Sequence, residues 1–197
     1  MKKGLIAVLS LAMLLGGCAQ KVSYGDAQEA ETTTIEFGST DLQKIAVEMT
    51  DSMLASGSVA YITANGKRPI IVVDSVKNKT SEHIDTESVT DSISTRLLNS
   101  GKFRFVDMTR VEAVRKQLNF QNNDELVNQS TAIQFGQMVG AQYMLYGNLA
   151  SIVKQNGSDK DVYYKMTMRL MDLKTGLIEW ADETEIRKQE AKSLFGM

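Results

Sequence analysis

The chain has 197 residues, enough for one compact domain with a short extension and too few for two ordinary domains. Its 22 basic and 24 acidic residues give a net charge of −2, which argues against a nucleic-acid-binding surface. The single cysteine, Cys18, has no partner for an intramolecular disulfide. We therefore expect one hydrophobic core and no nucleic-acid partner.

The N-terminus has the pattern of an export signal. Two lysines precede an apolar run from Leu5 to Leu15, which is shorter than the roughly 20 residues that span a bilayer. The run ends at Leu15-Gly16-Gly17-Cys18, which resembles a bacterial lipobox, where the cysteine sulfur takes a diacylglycerol and the bond before it is cut. This resemblance implies a signal peptide at residues 1–17 and a lipid anchor on Cys18. The alternatives are an ordinary signal peptide with a chance cysteine, or a small apolar helix with a buried thiol.

A polar segment follows the cysteine. Residues 18–38 contain only isolated apolar side chains, so we predict a lipidated flexible tether there and a single globular domain at residues 39–197. Because the residue after Cys18 is Ala19 and not aspartate, the lipobox resemblance implies transfer to the outer membrane. The expected location is the periplasmic face of that membrane.

The first half of the domain alternates helices and short strands. Apolar residues at helical spacing predict a helix that begins at Ser39 or Thr40 and ends at Gly57. The β-branched run Ile70–Val73 has no alternation, so we predict a strand covered on both faces at the centre of the sheet. A loop, residues 74–81, leads to a second helix whose apolar stripe is Val89, Ile93, Leu97 and Leu98 and which stops at Asn99-Ser100-Gly101.

The second half is richer in strands. A short strand at 103–106 precedes a helix with a capping box at 109–112 and another helix from Ser130 to Gly140. Three longer strands follow, at 142–153, around 164–170 and at 177–185, joined by turns. The fold class is α/β, an α+β sandwich in which helices pack on a mixed, mostly antiparallel sheet of about four strands.

No catalytic constellation is visible. The only histidine, His83, lies in a polar loop near Glu82 and Asp85, where a solvated histidine is favoured over a metal ligand or general base. The chain has neither a G-x-S-x-G elbow nor a phosphate-binding glycine loop. The methionines of the strands are more typical of a core than of an adaptable binding surface. We predict that the protein is not an enzyme and needs no cofactor and no metal.

Five segments follow one another in a distinctive order along the chain: Val73–Thr80, Ser100–Phe103, Lys116–Leu118, Val139–Tyr146 and Thr175–Trp180. Together they resemble the LpoB family of outer-membrane lipoproteins. The resemblance implies a fold similar to the amino-terminal domain of TolB. It also implies that the domain binds a non-catalytic regulatory domain of a class A penicillin-binding protein and activates this peptidoglycan synthase. Members with a long Pro-rich tether differ from this chain, whose only proline is Pro69.

We predict the partner-binding residues to be Lys77, Asn78, Lys79 and Thr80, because loops at the ends of central strands often bind partners. The alternative is a turn in which the asparagine and threonine satisfy local backbone groups. A second possible surface lies around Arg169 and Trp180. An alternative function is a component of an outer-membrane secretion or assembly system, similar to the curli export lipoprotein.

Replacing the predicted lipid attachment site tests the anchor. We expect Cys18→Ser to move the protein from the membrane fraction to the soluble periplasmic fraction with the domain still folded, because the lipid joins a predicted tether and not the core. Immunoblots of membrane and soluble fractions measure the distribution. A mutant protein that stays in the membrane fraction would mean that another anchor exists.

Overall fold

A computed structural model describes residues 25–31, 34–107, 136–157 and 159–190. The helices are α1 (Ser39–Ala55), α2 (Gly57–Ile62) and α3 (Thr86–Asn99), with a 3-10 turn at Ala64–Gly66. The strands are β1 (Ile70–Val73), β2 (Lys77–Lys79), β3 (Arg104–Phe105), β4 (Tyr143–Asn156), β5 (Asp159–Asp172) and β6 (Ile178–Glu190). Residues 136–139 are also helical. None of the described helices has the length and apolar character needed to cross a membrane.

All of these strands belong to one sheet. Its order is β3-β1-β4-β5-β6, and β2 pairs with β4 beyond the end of β1. The three short strands are parallel to their neighbours, whereas β4, β5 and β6 form a long antiparallel meander. The strand β4 therefore lies in the middle of the sheet, with β1 and β2 along one side and β5 along the other.

One face of the sheet carries the main core. The helices α1 and α3 pack against each other and cover this face. Their buried residues follow the predicted stripes, including Ile45, Met49, Met53, Val89, Ile93 and Leu97. Leu98, which was predicted in the stripe of α3, is instead 48% exposed. From the sheet they meet Leu145, Leu149, Tyr164, Met166, Met168, Leu170 and Trp180. Burying each such side chain stabilises the fold by about 1.5–3 kcal/mol, so this layer is the main source of stability.

A smaller cluster lies on the opposite face. Val72, Met144, Met171 and Leu173 are buried there, and residues 136–139 carry Val139 onto the same cluster. Because Ile71 belongs to the main core and Val72 to the small cluster, the expectation that Ile70–Val73 is covered on both faces is confirmed.

The chain enters the domain across the end of β6. Asp41 accepts a hydrogen bond from the backbone N–H of Gly38, the N-cap of α1, at 2.9 Å, and pairs with Lys188 of β6 at 2.8 Å. The ammonium of Lys188 also donates to the carbonyl of Glu36 at 2.6 Å. Ile35 and Phe37 pack against the main core, so residues 34–38, which we call the strap, contact the domain although they fall in the predicted tether. Residues 18–24 and 32–33 of the predicted tether lie outside the described part of the chain, so the tether stays a prediction.

The expected fold class is confirmed, with two differences in the sheet. The strand Ile70–Val73 is an interior strand, but β4 occupies the centre that we predicted for it. Lys77–Lys79, predicted as part of a loop, forms the short strand β2, because its backbone pairs with residues 148–150 of β4. The helix predicted from 109 and most of the one predicted from Ser130 lie outside the described residues.

Gly147 controls the contact between β4 and β5. A β-carbon on this residue would lie 2.4 Å from the carbonyl oxygen of Thr167 and 2.9 Å from the Cγ of Met168. We therefore expect Gly147→Ala to lower the free energy of unfolding by about 1–3 kcal/mol through overpacking. Gly57→Ala is the matched control, since nothing lies within 4 Å of a β-carbon there. Urea unfolding measures both variants, and equal stability of Gly147→Ala and the wild type would contradict the expectation.

Candidate functional site

The register of the sheet divides the side chains of β2, β4 and β5 between two faces. Lys77 and Lys79 pair with Asn148 and Ala150 of β4, so they share a face. Tyr146 and Arg169 are cross-strand partners on that same face. This face is opposite the one covered by α1 and α3, and we call it the open face.

A groove of about 510 Å³ lies on the open face. The residues that line it come from the ends of β1 and β2 and from β4, β5 and β6. They are Asp74, Lys77, Lys79, Met144, Tyr146, Gly147, Asn148, Arg169, Met171, Gly176 and Ile178, and together they define the open-face groove. Its apolar rim includes Ile178, which is 46% exposed. The groove thus combines cationic, aromatic and apolar groups, as the centres of protein interfaces do.

The charge of the groove is positive. Among the described residues, no carboxylate lies within ion-pair distance of Lys77, Lys79 or Arg169. The acid of the groove is Asp74; burial raises its pKa, and hydrogen bonding to the Ser75 N–H and the nearby Lys77 partly offset this. The groove therefore suits an acidic partner surface.

Elsewhere on the open face, cationic and acidic side chains pair with each other. Lys165 pairs with Glu183 at 2.5 Å and Arg187 pairs with Asp161 at 2.5 Å, both between β5 and β6. A hydrogen bond to Glu185 is the main reason that the pKa of Tyr163 is raised to about 12. Among the described residues of this face, three cations without an ion pair, Lys77, Lys79 and Arg169, lie together at the groove.

The four residues that we predicted as partner-binding separate into two pairs. Lys77 and Lys79 lie on the open face and line the groove. Asn78 and Thr80 instead hold the turn that follows β2. The side-chain amide of Asn78 donates to the carbonyl of Glu82 at 2.8 Å, and the Thr80 N–H donates to Asn78 Oδ1 at 2.9 Å. For Asn78 and Thr80, the structure therefore matches the alternative interpretation, a turn in which these side chains satisfy local backbone groups.

Glu82 connects this turn to the core and to the strap. Its carboxylate accepts a hydrogen bond from the hydroxyl of Tyr164 at 2.5 Å and another from the backbone N–H of Phe37 at 3.0 Å. The ring of Phe37 packs edge-on against that of Tyr164, with centroids 5.5 Å apart. Burial, with the hydrogen bond to Glu82, raises the pKa of Tyr164, so the phenol stays a neutral donor. We call these two hydrogen bonds of the Glu82 carboxylate the Glu82 clamp. The clamp fixes one end of the turn, and β2 forms the other end.

The remaining predicted surface residues lie elsewhere. Arg169 lines the open-face groove, but Trp180 pairs with Leu170 on the helix-covered face and is buried, so the two do not form one surface. The strand methionines Met144, Met166, Met168 and Met171 are buried, as expected of core residues. His83 is exposed, and the described residues contain no cluster of three or more metal-ligating side chains. Cys18 lies outside the described residues.

Comparison with known proteins identifies the family. A family model described as peptidoglycan-synthase activator LpoB matches residues 41–186, which include every residue that lines the groove. The chain belongs to the LpoB family. The LpoB relatives include the penicillin-binding protein activator LpoB of Salmonella typhimurium, 30% identical over 120 residues, and that of Escherichia coli K12, 29% identical over 120 residues. Each alignment covers 61% of this chain and 53% of the relative, so the chain spans about half the length of the curated relatives it matches.

Solved LpoB domains have the same fold. The C-terminal domain of LpoB from Salmonella enterica superposes with a TM-score of 0.55 at 27% identity, and that from Escherichia coli with 0.56 at 26%. Each comparison covers 74% of this chain and 98% of the solved LpoB domain. The resemblance read from the sequence is therefore confirmed.

The clamp predicts a measurable loss of stability. Glu82→Ala removes the acceptor of the Tyr164 hydroxyl and of the Phe37 N–H, and we expect the free energy of unfolding to fall by about 1–3 kcal/mol because partly buried donors lose their partner. His83→Ala is the control at the adjacent exposed position and should change stability by less than about 0.5 kcal/mol. Urea unfolding gives both values. A Glu82→Ala variant as stable as His83→Ala would mean that the clamp contributes nothing.

Proposed function

We propose that this chain is a lipid-anchored protein of the outer membrane that binds and activates a peptidoglycan synthase, a class A penicillin-binding protein. The observation that carries the proposal is the family match, because residues 41–186 contain the whole open-face groove. The names of the curated relatives also favour this function over a role in secretion. Because those relatives are about twice as long as the matched segment, the function of the whole protein stays our proposal.

The groove is the docking surface in this proposal. Its two lysines and Arg169 attract an acidic surface, and Tyr146 with the apolar rim provides contacts that exclude water. The lysines reach the groove because β2 is hydrogen-bonded to β4 and because the turn after β2 is held by the Glu82 clamp. A surface fixed in this way loses little conformational freedom on binding.

Activation follows from a difference in affinity. The domain stimulates the synthase to the extent that it binds the active conformation more tightly than the inactive one. A tenfold shift of that equilibrium needs about 1.4 kcal/mol of differential binding, which a few contacts in one groove can supply. In this mechanism the protein carries no catalytic group of its own and needs neither cofactor nor metal. The partner surface belongs to a non-catalytic regulatory domain of the synthase.

Membrane attachment comes from the lipid on Cys18 in this proposal. A signal peptide at residues 1–17 directs export, and the following segment holds the domain at the periplasmic face of the outer membrane. The support for this part is the lipobox-like sequence at Leu15–Cys18.

Charge reversal in the groove tests the docking surface. We expect Lys77→Glu/Lys79→Glu to weaken binding to the class A penicillin-binding protein at least tenfold at low salt and less at high salt, because salt screens interactions between exposed charges. Tyr146→Ala should weaken binding at both salt concentrations, because its contact is apolar. Binding is measured with the purified synthase, together with stimulation of glycan polymerisation.

The control variant is Lys154→Glu/Lys160→Glu, which makes the same charge change at the distal tip of the β4–β5 hairpin. It should bind the synthase as the wild type does. Thermal melts confirm folding of each variant. Equal affinity of the groove variants and the wild type, with unchanged melts, would place the docking surface elsewhere.

A further inference from the structure

A second basic cavity lies at the end of the sheet where β1 and β3 begin. Its volume is about 550 Å³, and it shares no lining residue with the open-face groove. Its lining includes three cationic side chains, two tyrosines and the amide of Gln142, the other five being Lys67, Arg68, Arg104, Tyr61 and Tyr143. We call these six residues the polar-end pocket.

The two arginines of this pocket are held close together by the backbone. Arg68 Nη2 donates to the carbonyl of Phe103 at 3.2 Å, and Arg104 Nε donates to the carbonyl of Arg68 at 3.1 Å. These bonds use one of the five N–H groups that each guanidinium carries. The parallel pairing of β1 with β3 fixes the two segments, with the Arg104 N–H donating to the carbonyl of Pro69 at 3.0 Å. Counting only bonds to described residues, both guanidinium groups therefore keep further donors at a defined place.

Two carboxylates, Asp172 and Glu179, lie near the pocket, where they add to the burial that raises the pKa of Tyr143, but neither forms an ion pair with the cations. Neither Arg68, Arg104 nor the adjacent Lys67 lies within ion-pair distance of a described carboxylate. The carboxylate of nearby Asp172 is engaged by the β5–β6 turn, where its Oδ1 accepts from the N–H groups of Lys174 and Thr175 at 2.7 and 2.8 Å. Like charges brought together in this way repel each other, and a bound anion relieves the repulsion.

The tyrosines indicate which kind of anion fits. Tyr61 is 81% exposed although it carries a large aromatic ring, so the fold gains little from burying it. Exposed tyrosines beside arginines are typical of recognition surfaces, because a rigid ring contacts apolar faces while the guanidinium binds a carboxylate through two hydrogen bonds. Sugar rings have apolar faces, so this combination suits a glycan that bears carboxylates.

The pocket lies at the end of the domain opposite the point of chain entry. Along β6, α1 contacts Lys188 through Asp41, Thr184 through Glu48, and Asp182 through Ser52, so the helix runs from the end of β6 towards its beginning. Its 17 residues span about 25 Å, and α2 then leads to Tyr61. An anchor upstream of the strap would therefore be attached at the end of the domain that is away from the pocket.

We propose that the polar-end pocket binds, independently of the groove, the acidic glycopeptide polymer of the cell wall, whose peptides carry the carboxylates and whose glycan supplies the sugar rings. Arg68 and Arg104 bind the carboxylates, Lys67 adds long-range attraction, and the ring of Tyr61 packs on a sugar. The inference rests on the proposed function only in placing the domain in the cell envelope. It gives the chain a second contact, with the polymer that the synthase extends.

Sedimentation with isolated, protein-free cell-wall sacculi tests the proposal, using the full chain solubilised in non-ionic detergent. We expect the wild type to co-sediment, and Tyr61→Ala and Lys67→Glu each to weaken the binding about tenfold, since both side chains are exposed and make no hydrogen bond or ion pair among the described residues. Arg68→Lys keeps the charge but loses the planar fork and should also weaken binding. The control Lys154→Glu lies at the other end of the sheet and should bind sacculi as the wild type does.

Two further arms separate the sources of negative charge. Sacculi whose carboxylates have been converted to amides should no longer bind the wild-type protein. Vesicles of anionic phospholipid are tested without detergent on the soluble Cys18→Ser variant, and this variant should bind them equally weakly with and without Lys67→Glu. Failure of the wild type to sediment with sacculi, equal binding of all variants, or pocket-dependent binding to the vesicles instead would overturn the proposal. Synthase binding by the same variants is the independent readout. Tyr61→Ala should bind the synthase as the wild type does. A wild-type protein that does not bind the synthase would show that the proposed function is wrong, whatever the result with sacculi.

Discussion

The pairing register between β4 and β5 determines which side chains enter the core and which reach the surface. Because strand side chains alternate between faces, a slip by one residue would move Tyr146 and Arg169 into the core and expose Leu145 and Leu170. Gly147 helps to set this register, since its missing side chain leaves room for the carbonyl of Thr167 and the side chain of Met168. The groove exists because this alternation places polar and cationic residues on the face that α1 and α3 do not cover.

The sequence predicted the elements whose residues repeat with a clear period. The stripe at Val89, Ile93 and Leu97 identified α3, and alternation along β5 identified a half-buried strand. β2 was missed because Lys77-Asn78-Lys79 contains no apolar residue, and only backbone pairing to β4 makes it a strand. Its two lysines were nevertheless among the predicted site residues.

The errors at the site have a common cause, which is that pairing between distant segments cannot be read from local spacing. Trp180 was placed with Arg169, but a bulge between β5 and β6 brings Trp180 opposite Leu170 and so onto the covered face. No pattern in the sequence indicated the structural role of Glu82. Its partners Phe37 and Tyr164 are 45 and 82 residues away in sequence, and a lone acidic residue in a polar loop resembles any solvated carboxylate.

A contact upstream of the strap also restricts how far the domain can move from its membrane anchor. The side-chain amide of Gln43 in α1 donates to the carbonyl of Ala27 at 2.8 Å, so the chain already contacts the domain at that residue. A lipid on Cys18 would lie about nine residues upstream, and such a length of chain extends to about 30 Å at most. The domain would then diffuse in a thin layer beneath its own bilayer, with two-dimensional search and a high local concentration. A synthase rooted in the opposite bilayer would itself have to cross the intervening space, so the meeting place of the two proteins would be set by the enzyme's reach and not by its activator's.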